Sequence, residues 1–221
     1  TISEIPPRAF DGMGFKNGTT LKMHDGISKI GEGAFSGTRI KNSIEWPKNL
    51  ISIEKRAFYL AGLIMNEFVF PDNIRKVAAE AFWNNRIGGT LVIPENFDIV
   101  DCAFPNTDIK EVIVGDKTVQ LGNGAFRSCG QLERVTLGKN IDYIGQFALG
   151  GTGNLMSIVC LAEEPPGIHE RAFVDEDAWV TNLSFDKCIL QVPEKSVDKY
   201  RNAAVWNQFK NITAYKELAF N

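Results

Sequence analysis

Every twenty-odd residues the dipeptide Ala-Phe returns. It stands at 9–10, 34–35, 57–58, 81–82, 103–104, 125–126 and 172–173, and Ala148-Leu149 fills the one gap. Successive alanines lie 25, 23, 24, 22, 22, 23 and 24 residues apart. With 17 Ala and 15 Phe in 221 residues, chance supplies about one such pair and no period. Amphipathic helices repeat every 3.6 residues and coiled coils every 7, so neither produces this spacing. A further pair, Ala219-Phe220, lacks the surrounding pattern and reads as coincidence.

The rest of each unit aligns on that pair. One copy runs Leu132-Glu133-Arg134-Val135-Thr136-Leu137-Gly138, then Ile141, Ile144 and Ala148. The alternation Val135-x-Leu137 has the strand period of two with one face buried. Pro47, Pro71, Pro94, Gly115 and Gly138 follow the corresponding strands and turn the chain. The spacing from Ile141 to Ile144 to Ala148 predicts a short helix or 3₁₀ turn. A unit with one short strand and one turn cannot bury its own apolar face. Stacked copies can, each touching only its neighbours. The small Ala then sits where backbones crowd, and the Phe column is expected to form a ladder of rings.

Composition narrows the function classes. Net charge is −3, from 24 basic and 27 acidic residues without a basic block, which argues against nucleic-acid binding. No apolar run reaches the roughly 18 residues a membrane helix needs. No signal peptide is visible, and a start at Thr1 suggests an excised piece whose array continues upstream. Cys102, Cys129, Cys160 and Cys188 lie about 30 residues apart with no CxxC pair, so buried free thiols are expected.

The signature Ile30-Gly31-Glu32-Gly33-Ala34-Phe35, joined to L-x-x-V-x-L and an Asn-containing turn, resembles the BspA-like family of bacterial leucine-rich repeats. The resemblance covers about residues 5 to 212. It implies a leucine-rich-repeat solenoid: a right-handed superhelix of about eight units with a parallel sheet on one face and a C-terminal cap helix. The stretch from Cys188 through Leu190, Val192, Pro193, Ser196, Tyr200, Trp206, Phe209 and Ile212 resembles the segment that closes such arrays. Residues 1–187 are therefore read as repeats, and 188–221 as final strand and cap of the same solenoid. Tyr200, Ala203, Trp206 and Phe209 recur every three residues, as one apolar helix face would. The long connection from Phe173 to Leu190 departs from the pattern. The resemblance further implies a secreted or surface-attached bacterial protein that serves adhesion or host extracellular protein recognition, and a glycan stays open as the ligand.

Residues that carry chemistry are sparse. His24 and His169 belong to no metal or nucleophile motif. Gly122-Asn123-Gly124 and Gly150–Gly153 lack phosphate-loop spacing, and Asp175-Glu176-Asp177 lacks the alternating order of a calcium loop. Asn17, Asn182 and Asn211 head glycosylation triplets of a kind that arises by chance. No catalytic residue, cofactor or metal is expected, and the leading function is non-enzymatic binding, with a structural spacer as the alternative. Outward strand positions locate the expected partner surface. Between the core positions stand Lys22, Glu45, Val69, Val92, Ile113, Thr136, Val159 and Gln191. Val69, Val92 and Ile113 form an apolar centre, rimmed by Glu67, Thr90, Glu111 and Arg134 and continued by Thr136.

Overall fold

The computed structural model describes residues 2–15, 20–40, 44–71, 73–95, 97, 99–175, 177 and 179–216. Each turn of the chain lays down one rung, and rungs join through parallel strand pairs on two sides. The first side follows the L-x-x-V-x-L pattern: β2 (Leu21–Lys22), β4 (Ile44–Glu45), β9 (Thr90–Ile93), β11 (Glu111–Val114), β13 (Arg134–Leu137), β15 (Ser157–Cys160), β17 (Ile189–Val192) and β18 (Asn211–Ala214). From β9 to β18 these form one six-stranded parallel sheet. The residues between core positions alternate outward as expected: Leu91, Val112, Val135, Ile158 and Leu190 are buried, and Ile93, Val114, Leu137, Cys160 and Val192 with them.

The second side was not foreseen. Where a helix or 3₁₀ turn was expected, the chain makes two-residue strands: β1 (Glu4–Ile5), β3 (Lys29–Ile30), β5 (Ser52–Ile53) and β7 (Lys76–Val77), then β10 (Ile99–Val100), β12 (Gln120–Leu121), β14 (Tyr143–Ile144) and β16 (Gly167–Ile168). Ile141, Ile144 and Ala148 are all buried, but from successive sides of a coil that turns corners. Corners mimic the helical spacing. A separate pair, β6 (Ile64–Met65) with β8 (Arg86–Ile87), lies between the two ladders in sequence.

The Ala-Phe corners carry the core. Phe10, Phe35, Phe58, Phe82, Phe104 and Phe126 stack with centroids 5.0, 5.1, 5.4, 5.0 and 6.4 Å apart and planes within 15°. The backbone runs in step: the amides of Phe10, Phe35, Phe58 and Phe82 donate to the carbonyls of Ala34, Ala57, Ala81 and Ala103 at 2.7–2.9 Å. Three residues after the Phe, a small polar side chain caps its carbonyl. Thr38 donates to Phe35 O at 2.8 Å, Asn85 to Phe82 O at 3.0 Å, Thr107 to Phe104 O at 3.0 Å and Thr152 to Leu149 O at 2.7 Å. Left-handed residues flank the pair, before the Ala at Arg56 (φ 56°) and Glu80 (φ 59°) and after the Phe at Leu60 (φ 51°) and Asn84 (φ 54°).

The C-terminal end differs from the expected amphipathic helix. Helix α1 covers only Val197–Asn202, and the chain then breaks at Val205 (φ 69°) before a single 3₁₀ turn over Trp206–Gln208. The spacing of three fitted a helix, yet Tyr200, Trp206 and Phe209 reach the end of the core from separate segments and are all buried. Nor is Ile189–Val192 the last strand, since β18 pairs with it in parallel register from Asn211 to Ala214.

Candidate functional site

The outward residues of the six-stranded sheet form two rows. Strand register sets Val92, Ile113, Thr136, Val159, Gln191 and Thr213 side by side. A parallel row holds Thr90, Glu111, Arg134, Ser157, Ile189 and Asn211. A bridge between Phe68 and Leu91 extends both rows by one rung, so Val69 stands beside Val92 and Glu67 beside Thr90. The eight residues singled out in the sequence therefore share one face. Lys22 and Glu45 do not join them. They pair with each other in the two-stranded β2–β4 ladder, where Lys22 Nζ lies 2.8 Å from Glu45.

The sheet breaks between Glu45 and Glu67 because of bulk. Trp46 packs edge-on against Phe58, Phe68 and Phe82 at 5.7, 5.8 and 6.2 Å, and Phe70 fills the next rung. Among the described residues no pairing joins β4 to Phe68. Trp46 Nε1 is also the one buried side-chain polar atom without a partner among those residues. Outside this wedge lies a groove of about 510 Å³, lined by Glu67, Phe68, Val69, Phe70, Thr90 and Val92 among others.

Charges on the face are mostly spoken for. Thr90 Oγ1 donates to Glu111 Oε2 at 3.0 Å, and Arg134 Nε donates to Glu111 Oε1 at 3.2 Å. That hydrogen bond, reinforced by the Glu111 charge, holds the Arg134 guanidinium above its ordinary pKa. Val69 remains 64% exposed and Val92 53%. Exposed β-branched neighbours on consecutive rungs make a contiguous apolar strip.

Other candidates resolve into structural roles. His24 Nδ1 accepts the Gly26 amide and His169 Nδ1 the Arg171 amide, each at 3.0 Å, so both imidazoles close the same kind of turn. Asp175 Oδ1 accepts the Asp177 amide and Oδ2 the Asn182 side chain, both at 2.9 Å; Glu176 lies outside the described residues, as do Asn17 and Ala219-Phe220. Asn211 Nδ2 donates to Asp186 O at 2.7 Å. Cys129, Cys160 and Cys188 are buried free thiols and Cys102 is half-buried. Burial pushes all four up, Cys188 to about 12. Tyr59 and Trp83 lie 6.0 Å apart on the Ala-Phe edge, but Arg56 covers the tyrosine face and Arg127 the tryptophan face. A cavity of about 880 Å³ runs beside the C-terminal end between Asp116, Asp142, Glu163 and Tyr215. Sequence reading missed it because its walls come from turns of three rungs and the closing segment.

A parallel-strand solenoid of about nine turns, with a 23-residue period and an inward L-x-x-V-x-L face, is a leucine-rich-repeat architecture. The family model for the BspA type leucine rich repeat region (6 copies) matches residues 3–130, 59–177 and 119–221, and the chain belongs to that family. Among solved structures it is similar to a leucine rich cell surface protein from Faecalibacterium prausnitzii A2-165, at 15% identity and a TM-score of 0.44, over 90% of this chain and 60% of that one. It is also similar to a leucine-rich repeat protein from Bacteroides ovatus ATCC 8483, at 15% identity and a TM-score of 0.49, over 97% of this chain and 64% of that one. The chain thus spans less than two thirds of either neighbour's length. No curated protein matches it.

Proposed function

We propose that this chain is a non-enzymatic binding module of a secreted or surface-attached bacterial protein, and that it recognises a protein partner through the sheet face. The observation that carries the reading is the outward strip of exposed Val69 and Val92 and half-buried Ile113, with Glu67, Thr90, Glu111, Arg134 and Thr136 around it. Interfaces that form and dissociate commonly have this anatomy, an apolar centre inside a polar rim. The surface location rests on family membership. Among the described residues no helix is long and apolar enough to cross a membrane.

The test is a double substitution, Val92→Lys with Ile113→Glu, in a chain screened against extracellular matrix proteins and a glycan array. Because both side chains point outward, the melting temperature should stay within a few degrees while protein binding disappears. Undiminished protein binding by the double variant would sink the reading. Binding only to glycans, through any surface, would do so equally.

A further inference from the structure

Among the described residues, the groove at the sheet break holds a single charge. Glu67 is the only ionisable residue among the described ones that line it, and no described cation pairs with it, whereas Glu111 two rungs on is engaged by Thr90 and Arg134. The remaining walls are the methyl groups of Val69 and Val92, the edges of Phe68 and Phe70, Pro94, and the polar Asn66 and Thr90. Phe68 and Phe70 are themselves buried, at 2% and 7% exposure, so no ring offers an open face on which a sugar could stack. A volume near 510 Å³ falls in the ~300–1,000 Å³ range that compact ligand segments fill.

We propose that this groove receives a segment of a protein partner that carries a lysine or arginine next to an apolar side chain. The cation faces the Glu67 carboxylate, and the apolar side chain covers Val69 and Val92. This rests on the sheet face being the binding surface. The argument is one of discrimination. A partner that covers the valines also removes water from Glu67, and an unpaired buried carboxylate is costly. A cation at that point offsets the cost, and a neutral or acidic residue does not, so the groove selects by what it penalises. Arg134 cannot serve the same purpose from within the chain, because it is tied to Glu111 two rungs away.

A phage library of random twelve-residue segments panned on the wild-type chain, with counter-selection on the Val92→Lys/Ile113→Glu variant, tests this directly. Enriched segments should place Lys or Arg beside Val, Ile, Leu or an aromatic residue. Panning on Glu67→Lys should turn that preference to Asp or Glu. A synthetic peptide of the enriched sequence should bind Glu67→Gln on the order of tenfold more weakly, with a flatter salt dependence. Segments that need Val92 and Ile113 but show no basic preference would overturn the inference and leave the sheet-face reading standing. No enrichment over the double variant would overturn both.

Discussion

From Phe10 to Phe126 one ring lies flat on the next, whereas beyond Leu149 most ring pairs meet edge to face. Phe173, the next ring in the column, has Phe185 and Phe209 at 5.7 Å with planes at 89° and 77°, and Tyr200 meets Trp206 at 74°. An isolated aromatic pair prefers an offset or edge-on arrangement to a direct sandwich. In the stack each unit is a translated copy of the one before, so each ring must repeat its neighbour's orientation. At the closing end the translation stops. Rings there come from unrelated segments and take up mainly edge-on contacts, with Trp206 and Phe209 stacked at 27°. The stack is thus stabilised by repetition, and the end by cross-bracing.

The largest test of that contrast lies within the stack itself. Phe82 is fully buried between Phe58 and Phe104, with Phe68 and Trp46 on its edge. Phe82→Ala should cost ~3–5 kcal/mol and lower the melting temperature sharply. Phe10→Ala, on the half-buried first rung, should cost far less. Equal shifts in thermal denaturation would show that rungs are not coupled through neighbours.

Polar bracing gives a smaller, matched pair. Tyr200 donates to the Ala162 carbonyl at 3.0 Å in the closing end, and Thr107 donates to the Phe104 carbonyl at 3.0 Å in the stack. Tyr200→Phe leaves the buried Ala162 carbonyl unpaired, for a loss of ~1–3 kcal/mol in urea titrations, whereas Thr107→Val leaves the Phe104 carbonyl its Cys129 donor and should cost less. An equal loss at both sites would mean that the Cys129 thiol does not cover the Phe104 carbonyl.

Thiols divide between the regions too, Cys102 and Cys129 in the stack, Cys160 and Cys188 at the end. Burial raises each above the ordinary value of 9.0, Cys188 to about 12. A raised acid binds more protons folded than unfolded, so the stability it adds is complete below pH 9 and is lost as pH rises from 9 toward 12. Each ionising buried thiol removes up to about 1.4 kcal/mol per pH unit. Urea midpoints at pH 7, 9 and 10 should fall in that order, and Cys188→Ala should flatten the decline.

The smallest effect concerns the corners. Leu60 is 43% exposed with φ 51°, a left-handed position that glycine fills in neighbouring rungs, for example Gly37 at φ 65°. Relief of the side-chain strain outweighs the added freedom of the unfolded chain, so Leu60→Gly should stabilise by up to ~1 kcal/mol. A lower melting temperature would mean that Leu60 packs in a way its exposure conceals.

Legibility in the sequence follows periodicity. Where a position recurs with the unit, as Val69, Val92, Ile113 and Thr136 do, its direction could be read from the alternation alone. The polar column of Thr38, Asn85, Thr107 and Thr152 recurs as well, and was missed because its members differ in chemistry while sharing one task, covering the carbonyl three residues before. The short second ladder escaped because two-residue strands leave no alternation to detect. The closing end escaped because it occurs once.

By itself, then, the sequence determined the repeat length, the parallel stacking, the ring column and the outward row, since all four follow from a pattern that each unit must satisfy against an identical neighbour. Only the tertiary structure decided where the sheet breaks, that Glu67 stands in the groove there with no cation beside it among the described residues, and that α1 stops after six residues so that β18 can add a rung. Those features arise from the bulk of particular side chains, Trp46 and Phe70 at the break and Tyr200, Trp206 and Phe209 at the end, and volume is settled only when specific neighbours meet.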